Sequence, residues 1–282
     1  MDLMDGCVNR TLIVILGGFL FLFAGCSREQ RQIPSNGLCL WLKADAGVTL
    51  NGSTVTRWAD QSGNGNHAIQ MDAERRPRLV QNVLNGRPVI RFDGRDDRLG
   101  LTGTKRMSQV SLFIVFKIDS GLINLNAYFP IVLGNIVGDG QTFGLGMHNG
   151  FTGNSLDIIS VTSGLDCWVR ATTPGCARFG QWKSLSVITD HLIKNTAMRV
   201  NGANASITPV DVNISISVPL GNPNGTGVGG IGGADGVRLP PGRLIAKCDV
   251  AEVIIYDTVL PDSLRRSVEE YLGRKYRLPP AN

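Results

Sequence analysis

A short polar segment that follows a tryptophan, residues 58–67, constrains the fold of this chain more than any other feature. It reads Trp-Ala-Asp-Gln-Ser-Gly-Asn-Gly-Asn-His. Such a run does not form regular helix or strand, because its glycines favour positive φ and its short polar side chains bond to the nearby backbone. It predicts a tight loop held by side-chain-to-backbone hydrogen bonds. Residues 91–97, Arg-Phe-Asp-Gly-Arg-Asp-Asp, predict a strand that ends in an Asp-Gly turn.

Composition and hydrophobic periodicity indicate one all-β domain. The chain has 282 residues, 43% of them hydrophobic, and its 35 glycines indicate many turns between short strands. Residues 110–118 are apolar on both faces, which is typical of a strand between two layers. A helical period begins only at residue 262, where Leu264, Val268, Tyr271 and Leu272 predict one apolar stripe.

The charge distribution argues against a nucleic-acid partner. The net charge is +5 at pH 7, and the densest basic groups are residues 75–78 and 265–266. Neither group alternates with aromatic residues, as the grooves of nucleic-acid-binding proteins do. We therefore expect a solvated surface and no nucleic-acid partner.

The N-terminus is predicted to direct export. Residues 11–25 form an almost unbroken apolar run, shorter than the roughly 20 residues that span a membrane, so residues 1–25 are interpreted as a signal peptide. The sequence Phe-Ala-Gly-Cys at residues 23–26 resembles the lipobox of bacterial lipoproteins. This resemblance implies an acylated Cys26, a membrane anchor, a tether over residues 26–36 and, because Ser27 follows, a place on the outer membrane or cell surface. A plain cleaved signal or an uncleaved anchor is the alternative.

Residues 142–148 predict a strand with two unlike faces. The apolar residues at 143, 145 and 147 share the core face. Gly144, Gly146 and His148 share the other face, which lacks side chains at two positions and leaves room for a ligand. The alternative is that a neighbouring strand or loop fills this space.

Six motifs are spread along the chain: Leu40-Trp41-Leu42, residues 58–67, Arg87-Pro88 with residues 92–97, Trp182, Asn201-Gly202, and residues 252–256 with the helix after them. Together they resemble bacterial laminin-G-like domains of the concanavalin A-like class. The resemblance covers residues 37–278 and leaves residues 279–282 as a tail. It implies an all-β jelly-roll sandwich of two antiparallel sheets with one C-terminal helix. That fold serves lectins, adhesion modules and glycanases, so it does not identify the function.

Four cysteines remain after the signal peptide and Cys26, and an even number in an exported protein indicates disulfides, with three connectivities open. Cys167 and Cys176 flank a Pro-Gly turn that can bring them together. The resemblance implies that the first strand, with Cys39, lies beside the last strand pair, with Cys248. We therefore predict the bridges Cys167–Cys176 and Cys39–Cys248.

Asp60, Asn64 and Asn66 place oxygen ligands in one glycine-bearing loop, and calcium prefers such ligands. The loop has only one carboxylate, so the alternative is that Asp60 accepts N–H groups of its own backbone. The aspartates at 93, 96 and 97 form a second acidic cluster, for which neighbouring arginines offer ion pairs. Calcium is one prediction for these segments, and a hydrogen-bonded structure without it is the other.

Trp168 lies between Cys167 and Cys176, in a segment interpreted as a loop that is additional to the pattern of the laminin-G-like domains. A tryptophan on a clamped loop offers a flat surface on which a sugar ring can stack. The alternative is that this side chain covers the edge of the sandwich. Together with Gly144, Gly146 and His148, Trp168 forms the candidate ligand site.

Recognisable catalytic motifs are absent from the sequence. It contains no Glu-x-Asp-x-x-Glu run of the kind found in jelly-roll glucanases, no Gly-x-Ser-x-Gly and no His-Glu-x-x-His. We therefore predict a non-catalytic module of the cell envelope that binds a glycan or another envelope polymer. The alternatives are a glycoside hydrolase or polysaccharide lyase with unrecognised active residues, and a purely structural or adhesion module.

Overall fold

A computed structural model describes residues 33–119, 131–135, 143–148, 158–163, 168–171, 180–208, 218–221, 230–231 and 247–279. These residues form nineteen strands and one α-helix: β1 (Leu38–Lys43), β2 (Val48–Asn51), β3 (Thr54–Trp58), β4 (Ala68–Ile69), β5 (Arg78–Leu84), β6 (Arg87–Asp93), β7 (Leu99–Met107), β8 (Val110–Ile118), β9 (Ile131–Asn135), β10 (Phe143–His148), β11 (Ile158–Ser163), β12 (Trp168–Ala171), β13 (Lys183–Thr189), β14 (Ala197–Val200), β15 (Ala203–Asn204), β16 (Ile207–Thr208), β17 (Val218–Gly221), β18 (Gly230–Ile231), β19 (Lys247–Tyr256) and α1 (Asp262–Tyr276). Two short 3-10 helices, Ala73–Arg75 and Ile193–Asn195, lie between strands.

Antiparallel hydrogen bonding arranges the strands in two layers. The first layer is ordered β15–β14–β13–β8–β19–β6–β5, with β1 also beside β19. The second is ordered β12–β11–β10–β9–β18–β7–β4–β3–β2. One buried core contains Leu112 and Ile114 of the first layer together with Leu99 and Ile231 of the second. The predicted all-β sandwich with a C-terminal helix is confirmed.

The strand β8 is buried on both of its faces, as its sequence predicts. Leu112 and Ile114 pack in the core between the two layers. Phe113 and Val115 pack in a second apolar cluster that also contains residues of α1. The helix therefore covers the outer face of the first layer.

The helix α1 buries a stripe that differs in part from the predicted one. Its buried residues are Arg265, Val268, Leu272 and Tyr276. Leu264, predicted to lie in the stripe, is 39% exposed. Arg265 is buried instead because its guanidinium pairs with the carboxylates of Asp262, at 3.1 Å, and Glu269, at 2.6 Å.

The predicted Cys39–Cys248 bridge is wrong, although β1 does lie beside β19. Cys39 falls at an irregularity of β1 opposite Ile255 and Tyr256, whereas Cys248 lies near the other end of β19 opposite Phe92. The seven steps from 248 to 255, at about 3.3 Å each, put the two cysteines roughly 23 Å apart. The Cα atoms of a disulfide lie within about 7 Å. Accordingly, the two sulfurs are not bonded to each other.

The described fold begins at Ile33, which packs in the same apolar cluster as α1. Residues 1–32, with the predicted signal peptide and Cys26, lie outside the described residues, and so do Cys167 and Cys176. The anchor and the second bridge therefore stay predictions. Among the residues that are described, no helix is both long and apolar enough to span a membrane.

Candidate functional site

A row of glycines crosses four adjacent strands of the second layer. Successive cross-strand partners on β7, β18, β9 and β10 are Gly100, Gly230, Gly134 and Gly144. We call these four residues the glycine row. Beyond Gly144 the same line of partners continues to Thr162 of β11 and then to Trp168 of β12.

The glycine row lies on the face of the second layer that is turned away from the core. Leu99, which precedes Gly100, is completely buried and pairs with Ile231, which is also completely buried. Both belong to the core between the layers. Successive residues of a strand point to opposite faces of a sheet, so Gly100 and its partners belong to the outer face. Position 145, predicted to face the core, pairs with Leu133, which in turn pairs with Ile231.

The structure brings the predicted ligand positions of β10 together with Trp168 on one sheet. Gly146 lies opposite Ser160 and His148 opposite Ile158, so both share the face of Gly144 along β10. Trp168 is the first residue of β12, at a place where the sequence predicts a loop. The pairing of Trp168 with Thr162 extends the sheet by one more strand and gives Trp168 a fixed register position.

Sequence reasoning identified only one member of the glycine row. Gly100, Gly134 and Gly230 come from three strands that are far apart along the chain. Each is a glycine next to an apolar residue of its strand, which is a weak local signal. Their alignment depends on the register between strands, and a single sequence does not specify that register.

The carboxylate of Asp60 holds the polar loop together. Its Oδ1 accepts the N–H groups of Trp41 and Ser62, both at 2.9 Å. Its Oδ2 accepts the Ser62 hydroxyl at 2.7 Å and the Asn66 N–H at 3.1 Å. This is the hydrogen-bonded loop that the sequence offered as the alternative to a calcium site. An ion at Asp60 would have to compete with these donors, and calcium binding by Asp60, Asn64 and Asn66 stays a prediction.

Among the described residues, one group of three carboxylates could hold a cation, and it lies where β6 ends. The ligand atoms of Asp93, Asp96 and Asp97 lie within 4.8 Å of one another. Asp97 is buried, and its Oδ2 accepts the N–H of Asp93 at 2.9 Å. Burial raises the pKa of Asp97 to about 7, and the neighbouring carboxylates contribute to this rise. Arg91, an expected partner of this cluster, pairs with Asp249 instead, at 2.7 and 2.9 Å.

A completely buried carboxylate, Glu252, connects β19 to the helix. It accepts hydrogen bonds from Trp41 Nε1 at 2.6 Å, the Tyr271 hydroxyl at 3.0 Å, the Tyr276 hydroxyl at 2.7 Å and Lys275 Nζ at 2.7 Å. Burial, together with the charge of Glu252, raises the pKa of both tyrosines, which therefore stay neutral donors. Because the chain itself supplies these donors, Glu252 fastens the helix to the sheet.

A bulge in β19 turns Glu252 toward the helix. Val250 pairs with Phe116 and Glu252 with Val115, so Ala251 is the extra residue of β19. At the same place β19 changes its partner on the other side from β6 to β1. The bulge therefore puts a charged residue on the helix side in a strand that otherwise alternates between two apolar clusters.

No family of known proteins matches this chain, and no curated protein does so. Solved structures with a similar fold include a Trypanosoma rangeli sialidase in complex with a difluoro-KDN, with a TM-score of 0.54 and 14% identity over 86% of this chain and 33% of the sialidase. The binding domain of botulinum neurotoxin serotype D gives 0.54 and 12%, over 84% of this chain and 51% of that one. The binding domain of Paraclostridial Mosquitocidal Protein 1 gives 0.53 and 11%, over 83% and 52%. The chain thus spans a third to a half of these structures, and at such identities the likeness shows a shared β-sandwich fold.

Proposed function

We propose that this chain is a non-catalytic module that binds a glycan on the outer face of its second layer. The observation that carries the proposal is the glycine row, with Thr162 and Trp168 continuing the same line of partners. Because the four adjacent strands have glycine at these positions, only main-chain atoms are present along this line, and a flat ring can approach the sheet closely. The tryptophan two strands beyond Gly144 offers a surface for stacking.

The fold neighbours support a glycan as the ligand class. A Trypanosoma rangeli sialidase with a similar fold over part of its length is bound to sialic acid in one structure, and two other neighbours are the binding domains of botulinum neurotoxin serotype D and of Paraclostridial Mosquitocidal Protein 1. In keeping with the motif resemblance, we assign the sandwich to the concanavalin A-like, laminin-G-like jelly rolls. Lectins of that class bind sugars without catalysing a reaction, which agrees with the absence of a catalytic motif from the sequence.

We also propose that an acyl chain on Cys26 holds the protein at the outer membrane or cell surface. The apolar run of residues 11–25 and the lipobox-like residues 23–26 support this assignment. Replacing Cys26 by serine is expected to release the protein from membranes and to leave residues 1–25 uncleaved by the lipoprotein peptidase. An intact mass of the wild-type protein without an acyl addition would contradict the proposal.

A glycan array, probed with and without a chelator, tests the function directly. Trp168→Ala and His148→Ala are each expected to weaken binding while leaving the melting temperature nearly unchanged. Leu264→Ala is the matched control, because this partly exposed residue lies on α1, at the other layer. Loss of binding with the chelator would favour calcium. If both variants bind as the wild type does, or if no glycan binds, the structural or adhesion role is the better account.

A further inference from the structure

The polar loop of residues 58–66 runs along an edge of β1. On one side β1 pairs with β19, and no other strand among the described residues pairs with β1. On the other side its main-chain groups bond to the loop. The bonds are Asn64 Nδ2 to Leu38 O (2.7 Å), Asn66 Nδ2 and Ser62 Oγ to Cys39 O (2.8 and 3.2 Å), Trp41 N–H to Asp60 Oδ1 (2.9 Å), Gln61 N–H to Trp41 O (2.7 Å), and Trp58 Nε1 to Lys43 O (2.7 Å).

Almost all of these bonds use side chains of the loop, and only Gln61 contributes a main-chain group. A neighbouring strand would satisfy the same edge with its own backbone, and it would then present a new edge of unpaired N–H and C=O groups. Side chains satisfy the edge without creating that second edge. The loop therefore ends the sheet at β1.

The sequence of β1 explains why its edge needs such an ending. It reads Leu-Cys-Leu-Trp-Leu before Lys43, five apolar residues without a charge. Segments of high β-propensity, high hydrophobicity and low charge are those that pair with copies of themselves when an edge is exposed. The partner best matched to this edge is therefore the same strand of a second copy of this chain.

We propose that residues 58–66 are an edge cap that keeps a second copy of this chain from adding its β1 to this β1. The cap is independent of glycan binding, which is proposed for the outer face of the other layer. It also gives the loop a role that does not depend on a bound ion, because the Asp60 carboxylate positions the loop by accepting hydrogen bonds from Ser62 and Asn66.

The test is a triple variant, Ser62→Ala, Asn64→Ala and Asn66→Ala, in the full chain. These substitutions remove the side-chain donors to the carbonyls of Leu38 and Cys39 and keep Asp60. Gln61→Ala is the matched control from the same loop. Its side-chain amide bonds to Ala59 O, and its contact with β1 is made by the main chain.

Sedimentation equilibrium over a range of concentrations measures self-association. The triple variant is expected to dimerise at least about tenfold more tightly than wild type, because the edge carbonyls of Leu38 and Cys39 lose these loop donors and can accept from a partner strand. Hydrogen exchange is expected to show residues 38–43 protected in the dimer, while Gln61→Ala behaves as wild type does.

A folded triple variant that associates no more tightly than wild type overturns the proposal, and so does association that leaves residues 38–43 unprotected. If the triple variant does not fold, Asn64→Ala alone decides the question. Asn64 is exposed, and its side-chain amide contacts only Leu38 O and the Ser62 hydroxyl among the described residues. Equal self-association of Asn64→Ala and Gln61→Ala then rejects the cap.

Discussion

The two layers of the sandwich treat their outer faces in opposite ways. On the first layer, β19 carries a bulge and a buried carboxylate, and α1 closes over both with two tyrosines and a lysine. On the second layer, four neighbouring strands place glycine in one line of partners. The first face is specified by contacts of the chain with itself. The second face has glycines along this line, and glycine has no side chain with which to make such contacts.

This difference separates stability from binding. A buried carboxylate that accepts several hydrogen bonds fixes one arrangement of helix and sheet, because removal of either partner leaves an unsatisfied group. A glycine in the interior of a strand weakens that strand, so a row of them is a cost to stability that binding on this face would explain. Substitutions on the first face should therefore change stability, and those on the second should change ligand affinity.

The largest effect is expected for Glu252→Ala. It removes the acceptor of Lys275 Nζ, of the Tyr271 and Tyr276 hydroxyls and of Trp41 Nε1, so the free energy of unfolding should fall by about 3–5 kcal/mol in urea titrations. Glu270→Ala is the control, because this exposed residue only pairs with Arg274 at 3.4 Å among the described contacts. If Glu252→Ala destabilises the protein no more than the control does, the contacts between β19 and the helix are not what stabilises the first layer.

Asp97, in the turn between β6 and β7, is a buried carboxylate that accepts one N–H group, that of Asp93, among the described contacts. Its pKa is raised from 3.8 to about 7, chiefly by burial, so the folded state retains a proton that the unfolded state has lost between these values. Stability contributed by this group is therefore complete below pH 4 and falls as the pH rises to 7. Asp97→Asn should be more stable than wild type by at most about 4 kcal/mol at pH 8, because each pKa unit corresponds to about 1.4 kcal/mol, and equal to it near pH 4. Thermal melts across this pH range check the prediction; a constant difference would contradict it.

On the second layer, Gly144→Val should act on binding. A branched side chain on the outer face would stand in the glycine row and keep a sugar ring from the sheet, with an expected loss of affinity of about tenfold, or roughly 1.4 kcal/mol. Its melting temperature should change little, because valine favours strands. Titration calorimetry against the best ligand from the array measures the loss. Unchanged affinity would show that the glycine row serves only the packing of the chain.

The smallest effect concerns the end of the helix that covers the first layer. Arg277 adopts a left-handed conformation, with φ of 49°, and its N–H bonds to Gly273 O. Glycine has less strain there, so Arg277→Gly should raise the free energy of unfolding by about 0.5–1 kcal/mol. Asn85 has the same φ, but its side-chain amide bonds to Tyr276 O. Asn85→Gly is therefore expected not to stabilise, and a gain for Asn85→Gly would show that relief of backbone strain outweighs the bond to Tyr276 O.

Local patterns in the sequence predicted those parts of the molecule whose chemistry is local. Residues 58–67 bond to their own backbone as predicted, because Asp60 and its neighbours are within reach of one another along the chain. The two apolar faces of β8 predicted its two packed layers. Trp168 lies in a strand and not in the predicted loop, because its pairing with Thr162 of β11 makes it part of the sheet.

The sequence by itself determined the class of fold, the polar loop and the position of the helix. Side-chain periodicity and turn chemistry depend on residues that are close together in the sequence. The tertiary structure alone decided which residues meet across strands. It put Cys39 and Cys248 near opposite ends of β19, turned Glu252 to the helix through one extra residue, and aligned the glycine row. The reason is that register is a relation between distant segments, and a shift of one residue would move every side chain of a strand to its other face.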